Sequence, residues 1–192
     1  MTSSSLRPAL LSGIAALSLL APGLAYAGMK VDTSVAKPDV HFHANGEPGA
    51  LDIDAKTTDC AAADDGTNLT FTVKMDTVQT GIELRDEHMK TKFLHTETYP
   101  DAVLVVAKAA VPWPTEVGKK ATGTVDAQFT AHGVTQPTKV TYEVTKTKQG
   151  WRVIGNFAFD ISKHGIDVPS YLGVTVEPAL TARATIYLAD MP

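Results

Sequence analysis

The chain has 192 residues, of which 44% are hydrophobic, and a formal net charge of −4. This mild acidity argues against a general binder of nucleic acid or of anionic membranes. Its single cysteine, Cys60, excludes an internal disulfide, so the fold must be stabilised by an apolar core. Cys60 lies in a turn-like stretch, "TTDCAAADDG". Its thiol is either buried and inert or a route to dimers, and the burial habit of free cysteine favours the first.

The first 27 residues have the pattern of a cleaved export signal. Arg7 supplies a positive start, the apolar run "ALLSGIAALSLL" is too short to span a bilayer, and Ala25 to Ala27 form a small-x-small cleavage site. We predict cleavage near Ala27, which leaves one domain over residues 28–192 in the periplasm or secreted. The alternative is an uncleaved membrane anchor. No later apolar stretch is long enough to predict a transmembrane segment in the mature chain.

Apolar and polar residues alternate with a period of two through most of the remaining chain, which is typical of strands with one buried face. In "LTFTVKM", for example, Leu69, Phe71 and Val73 share one side. The predicted strands are 39–44, 49–56, 68–76, 101–109, 121–131, 137–147, 151–161 and 178–189. Turn-forming segments separate them, including "NGEPG" and "KTKQG". This spacing predicts an all-β sandwich or barrel, and eight strands suit a closed up-and-down barrel.

Two segments break the alternation. From Gly81 to Leu94 an irregular helix of about three turns is predicted between the third and fourth strands, with Thr80 as its cap and Glu83 completing a capping box. We expect its apolar residues to line or plug one end of the barrel; they are Ile82, Leu84, Met89 and Phe93. The second segment, 163–178, is long for a hairpin loop and is expected to cover one barrel mouth, with Gly165 and Gly173 as hinges.

The predicted inward face carries no Asp, Glu, Lys or Arg, so the interior of the barrel is uncharged. It mixes large side chains with very small ones, which favours an open groove, although small residues also fit the taper of a solid barrel. An apolar lumen with few polar groups selects a lipid or another apolar molecule. The residues predicted to line it are Phe42, Leu51, Phe71, Val73, Val125, Phe129, Tyr142, Phe157, Phe159, Ala182 and Ala184.

No catalytic residue, metal site or cofactor is predicted. His88 and His95 are nearly two helical turns apart, but a zinc site needs further ligands, the H-E-x-x-H pattern is absent, and His95 is expected beyond the helix end. His41 and His43 lie on the outward side of the first predicted strand, where solvated histidines are commoner than a metal pair. A hydrolase would need a nucleophile beside a base, which no pattern here supplies.

The stretch "TGIELRDEHMKTKFLHTETYP" resembles the helix region of the YceI-like proteins, with its Thr80-Gly81, Arg85-Asp86-Glu87-His88 and Tyr99-Pro100. "LTFTVKMDTVQT" before it and "GTVDAQFTAHGVTQPTKVTYEV" after it look like the central strands of that family, including the turn from His132 to Pro137. The ending "FDISKHGIDVPSYLGVTVEPALTARATIYL" is similar to the family's last hairpin. The resemblance covers most of residues 28–192, in the right order.

This resemblance implies an eight-stranded antiparallel lipocalin-like β-barrel with one short helix between strands three and four. Its pocket would hold an isoprenoid lipid, such as a polyprenyl phosphate or a quinone. The stretch "DVHFHANGEPGALDIDAKT" is shorter than the corresponding family ribbon, so the ligand is expected to be shorter or bound less deeply. Arg85 and His88 would meet a ligand's polar head group, or Arg85 and Asp86 would instead fix the helix on the barrel.

Three functions remain open at this point. The leading hypothesis is a non-enzymatic periplasmic protein that transports or stores an isoprenoid lipid. The second is a lipid-modifying enzyme that uses His88 as acid-base. The third is a filled barrel that serves a membrane redox or stress-response partner.

Overall fold

The computed structural model describes residues 28–48, 51–171 and 173–190, so the predicted export signal lies outside it. Twelve strands form one sheet within these ranges. They are β1 (Met29–Val31), β2 (Asp39–Glu47), β3 (Leu51–Thr57), β4 (Cys60–Asp64), β5 (Asn68–Lys74), β6 (Asp101–Ala107), β7 (Lys120–Ala131), β8 (Val134–Lys146), β9 (Trp151–Asp160), β10 (Ser170–Tyr171), β11 (Val174–Val176) and β12 (Ala179–Asp190). All their pairings are antiparallel.

The helical elements are few and short. Helix α1 (Glu83–His88) continues as a π-helical turn, Met89–Phe93, between β5 and β6. This confirms the predicted helix between the third and fourth predicted strands. Single 3₁₀ turns cover Met75–Thr77, Lys108–Ala110 and Ile161–His164.

The sheet is a meander that curls into a barrel. Strands β4 to β9 pair in sequence order, β12 returns beside β9, and β2 lies between β12 and β3. β1 continues along β12, beyond the part that pairs with β2. The all-β antiparallel barrel is therefore confirmed, whereas the predicted number of eight strands is wrong. β1, β10 and β11 are too short to show alternation, and β4 is rich in alanine, which has a low strand preference.

The two ends of the sheet meet at a seam between β1 and β4. The backbone N–H of Met29 donates to Oδ2 of the fully buried Asp64 side chain (2.9 Å), and Lys108 Nζ lies 2.6 Å from the same oxygen. Desolvation raises the pKa of Asp64, but hydrogen bonds from Lys108 and the backbone outweigh it and leave the pKa lowered. A second closing contact is made by Lys56 and Gln79, which exchange backbone hydrogen bonds of 2.8 and 3.0 Å.

Cys60 begins β4 and does not lie in the predicted turn. Its side chain is buried, as expected for an inert thiol, and burial raises its pKa to about 12. The thiol is therefore protonated near neutral pH and a weak nucleophile.

One end of the barrel is closed by the loop after β6. The Trp151 indole N–H donates to the Pro114 carbonyl (2.9 Å), and the Trp113 indole N–H donates to the Lys108 carbonyl (3.0 Å). The two indole rings meet edge to face, with centroids 5.7 Å apart. Because both N–H groups have acceptors, the rings can be buried without an unsatisfied donor.

The predicted cover, 163–178, lies beside the opposite end and has structure of its own. It contains the β10–β11 hairpin, and β11 pairs with the end of β2. The first part of this segment packs against the barrel, since His164 and Ile166 are buried and the turn that contains His164 contacts β8. Gly165 and Gly173, the predicted hinges, have positive φ angles of 69° and 81°, which glycine adopts without strain. That this cover moves stays a prediction.

Candidate ligand-binding site

The inner faces of the strands enclose an apolar cavity of about 100 Å³. Side chains from β2, β4 to β9 and β12 form its wall, and Val111 and Trp113 from the loop after β6 close it at one end. Apolar cavities on the order of this size stay dry and take up small apolar molecules. The cavity is therefore suited to a hydrocarbon group.

Nine of the eleven residues predicted to line the lumen contribute to this wall. They are Phe42, Phe71, Val73, Val125, Phe129, Tyr142, Phe157, Ala182 and Ala184. That they bind a ligand stays a prediction.

Leu51 and Phe159 do not line the cavity. Leu51 is the first residue of β3, at the rim of the sheet, where it covers Gly46 and remains 37% exposed. Phe159 lies near the end of β9 and packs edge to face on Phe42, with ring centroids 6.4 Å apart. Both residues were predicted from strand alternation alone, which gives the face of a strand but not the height along the barrel.

The other residues of the wall were not among those predicted to line the lumen. They are Val40, Cys60, Leu69, Ala102, Leu104, Val106, Val111, Trp113, Val140, Val144, Val153, Gly155, Arg183 and Ile186. Most share the inward register of a predicted strand, so the same alternation identifies them. Cys60, Val111 and Trp113 do not, because they lie on β4 and on a loop where no alternation was found. Arg183 does not either, since it lies on the outward register of β12.

Small residues on neighbouring strands leave the space for the cavity. Gly155 on β9 lies between Tyr142 on β8 and Ala184 on β12. A Cβ atom at position 155 would meet only Val140 Cγ1 within 4 Å, at 3.5 Å, which is ordinary contact. The region next to Gly155 is therefore open toward the lumen.

Arg85 and Asp86 make a compact set of hydrogen bonds with Thr80. The Arg85 guanidinium donates to the Thr80 hydroxyl (2.7 Å) and to its carbonyl oxygen (2.9 Å), and Asp86 Oδ1 accepts from the Thr80 N–H (2.7 Å) and hydroxyl. Desolvation raises the pKa of Asp86, but the bonds from Thr80 outweigh it and leave the pKa lowered. Thr80 follows Gln79, which pairs with β3. These contacts are those expected if Arg85 and Asp86 fix the helix on the barrel.

Two details of the predicted helix are wrong. Thr80 does not cap α1, because its hydroxyl is engaged by Arg85 and Asp86; the N-cap position is Ile82, without a side-chain bond. Ile82 and Leu84 do not plug the barrel, since they are 54% and 62% exposed. Ile82 precedes the helix in an extended conformation, and Leu84 faces away from Met89, which packs on the core.

A family profile for the YceI-like domain matches residues 27–186. The chain belongs to the YceI-like family. Solved structures support the same fold for this YceI-like chain. A polyisoprenoid-binding domain from Saccharophagus degradans is 13% identical, with a TM-score of 0.68 over 87% of this chain and 100% of that one. BcnA from Burkholderia cenocepacia is 15% identical, with a TM-score of 0.63 over 83% and 99%.

A YceI protein from Campylobacter jejuni is 15% identical to the chain, with a TM-score of 0.54 over 76% of this chain and 89% of that one. At these identities the similarity establishes the fold of the YceI-like barrel. None of the curated proteins compared with the chain matches it. In the described ranges, no helix of this YceI-like chain is long and apolar enough to cross a bilayer.

Contacts with neighbouring residues define the surroundings of three histidines of this YceI-like barrel. His95 follows the helix, as predicted, and His132 opens the predicted turn before Gly133; both histidines have positive φ angles. His132 lies between His95 and Tyr99, with ring centroids 5.5 and 4.2 Å away, and its Nε2 atom is buried without a hydrogen-bond partner among the described residues. The Nδ1–H group of the buried His164 donates to a backbone carbonyl (2.9 Å).

His41 and His43 face outward, as predicted. Nδ1 of His41 lies 2.9 Å from Asp54 and its Nε2 atom 2.9 Å from Asp39. These two carboxylates, Asp54 above all, raise the pKa of His41 against its partial desolvation. Where the chain is described, no group of three or more His, Cys, Asp or Glu side chains is arranged to hold a metal ion.

His88, the acid-base of the enzyme hypothesis, is half-buried on α1. Its imidazole forms no hydrogen bond or ion pair with any other described residue. A histidine that acts as a base in catalysis is commonly oriented by a second group. Nothing in the described structure supplies that group for His88.

Proposed function

We propose that this YceI-like protein holds an isoprenoid lipid, of the polyprenyl phosphate or quinone-like class, in its barrel lumen and transports or stores it without chemical change. The observation that carries the proposal is the apolar cavity. Burial of hydrocarbon there contributes roughly 0.8 kcal/mol per CH₂ group. The description of the similar Saccharophagus degradans domain as polyisoprenoid-binding supports the same ligand class.

The size of the cavity limits how a ligand is held. About 100 Å³ does not accommodate a long prenyl chain as the walls stand. Such a chain requires the walls to move apart, or part of it to leave the barrel beside α1 and the cover at 163–178. This agrees with the expectation from the short β2–β3 region that the ligand is shorter or less deeply bound.

We place this activity in the periplasm or outside the cell, on the basis of the export pattern in residues 1–27. In an aqueous compartment an apolar lipid has to be enclosed by the apolar surface of a carrier. The expectation of a membrane redox or stress-response partner stays a prediction.

The test is to express the full chain with its own signal in a bacterial periplasm, purify it without detergent, and analyse an organic extract by mass spectrometry. We expect a stoichiometric isoprenoid species, either a polyprenyl phosphate or a quinone. A clean extract from protein that also takes up no added isoprenoid would contradict the proposal and favour the filled interaction barrel. Conversion of added lipid esters or phosphates with a bell-shaped pH profile would favour the enzyme that uses His88.

A matched pair of variants on β9 sharpens this test. Gly155→Leu places a side chain in the open part of the cavity, whereas Ala158→Leu adds similar bulk on the exposed side of the same strand. We expect Gly155→Leu to lose the ligand while its melting temperature stays at or above that of the wild type, because it fills a cavity. Ala158→Leu should retain the ligand. Equal ligand content in both variants would place the lipid outside the lumen.

A further inference from the structure

Four residues of the cavity wall carry polar side-chain atoms, and three of these are already accounted for. The Cys60 thiol contacts a backbone carbonyl at 3.7 Å, and the Trp113 indole donates to another at 3.0 Å. Arg183 is exposed and lies on the outward register of β12, between two inward alanines. Tyr142 is the fourth.

The Tyr142 hydroxyl belongs to a side chain that is only 9% exposed and that faces the cavity. No other described residue forms a hydrogen bond with it. The remainder of the lumen offers hydrocarbon surface. The oxygen itself keeps accessible surface, so an acceptor atom of a ligand can reach it and form the hydrogen bond that the protein does not supply.

The position of the Tyr142 ring is set by its neighbours across the sheet. Gly123 on β7 and Gly155 on β9 lie directly opposite it in the two ladders. The ring covers Gly123, where a Cβ atom would come within 2.7 Å of Oη and 3.0 Å of Cζ. Gly155 leaves open space on the other side. The hydroxyl is thereby held at a defined height in the barrel.

We propose that Tyr142 Oη donates a hydrogen bond to a neutral acceptor oxygen of the bound lipid, so that the lumen selects a carbonyl-bearing, quinone-like isoprenoid over a plain hydrocarbon. A few polar groups in an apolar pocket are what fix a ligand's orientation. A phosphate does not fit this position, because its charge would be buried and no cation of the described residues is directed into the cavity; Arg183, at its wall, is exposed on the outward register. This inference rests on the proposed function and names the ligand class of that site.

The test compares farnesylacetone, an isoprenoid ketone, with the hydrocarbon in which a methylene replaces its carbonyl. Binding is followed by tryptophan fluorescence, since Trp113 lines the cavity and contacts the other tryptophan, Trp151. We expect wild-type protein to bind the ketone roughly tenfold more tightly, as for one neutral hydrogen bond. Tyr142→Phe keeps the ring over Gly123 and should bind both molecules with the hydrocarbon's affinity.

Tyr187→Phe is the matched control, since Tyr187 alternates with the inward Ile186 and Leu188 and faces outward on β12. It should keep the wild-type preference. An equal affinity of wild-type protein for both ligands, or an unchanged preference in Tyr142→Phe, overturns the inference while lumen binding stands. If wild-type protein binds neither ligand, the proposed function fails as well.

A second measurement does not depend on a variant. A hydrogen bond from Oη lowers the infrared stretching frequency of the ketone carbonyl in the wild-type complex relative to the ketone in an alkane. An unshifted carbonyl band in the bound ketone would overturn the inference even if Tyr142→Phe failed to fold.

Discussion

On β7 and β9 every second side chain is directed into the barrel, whereas around α1 the apolar side chains are divided between the core and solvent. In the strands the ladder hydrogen bonds satisfy the backbone polar groups, so the apolar pattern has only to determine which face of the strand is turned toward the barrel interior. Around α1 the side chains of Arg85 and Asp86 form hydrogen bonds with Thr80, and these bonds, not the apolar pattern, determine which side chains of the helix face the core. The apolar pattern therefore determines the orientation of the strands, whereas specific polar contacts determine the orientation of α1.

The largest effect expected from this comparison comes from leucine truncation. Leu69→Ala on β5 removes a side chain that is 1% exposed and should lower the free energy of unfolding by about 3 kcal/mol. Leu84→Ala on α1, where the side chain is 62% exposed, should change it by less than about 0.5 kcal/mol. Urea denaturation of both variants gives the values. Comparable losses in the two would show that Leu84 has a burial partner.

A smaller effect is expected at the polar contacts of α1. Thr80→Val keeps the shape of the side chain but removes the hydroxyl shared by Arg85 and Asp86, and should lower the free energy of unfolding by about 1 kcal/mol. Thr98→Val is the control, since its side chain is exposed and makes no hydrogen bond with the other described residues. If the two variants are equally stable, the Thr80 hydroxyl does not stabilise the helix.

The smallest effect is expected on the outward side of the strands, at His41. Because its folded-state pKa is raised, its contribution to stability is complete below the unfolded pKa of about 6.5 and is lost as the pH rises through the folded value. Solvent exposure keeps this contribution to a few tenths of a kcal/mol. In His41→Gln the free energy of unfolding should fall less between pH 5.5 and pH 9 than in the wild type. An identical pH dependence would contradict the prediction.

The sequence predicts the long strands well because their pattern is local. The prediction of 151–161 differs from β9 by one residue, and 121–131 differs from β7 by one. β8 begins three residues before the predicted start at Pro137, because the pairing with β7 continues through the proline. Because the alternation within a strand is local, it also places nine of the predicted lumen positions correctly in the cavity wall.

The remainder depends on contacts between distant parts of the chain. Asp64 meets Lys108, which is 44 positions away, and Trp113 reaches the cavity from a loop without alternation. The phase of α1 could not be predicted either, since the π-helical turn at Met89–Phe93 departs from the period of 3.6 residues. The polar character of Thr80 was recognised, but not that its partners lie within the helix.

The seam between β1 and β4 has a consequence for the circumference of the barrel. Within the described residues the neighbouring strands elsewhere are joined by continuous ladders, whereas the seam depends on the contacts of Asp64, and the second closing contact, between Lys56 and Gln79, is a single isolated bridge. A wall of continuous ladders can widen only if many hydrogen bonds break together, whereas these closing contacts can open after the loss of a few hydrogen bonds. We therefore expect the amide protons of Met29, Lys56 and Gln79 to exchange with solvent faster than those of β7 and β8, and a bulky guest to speed their exchange further.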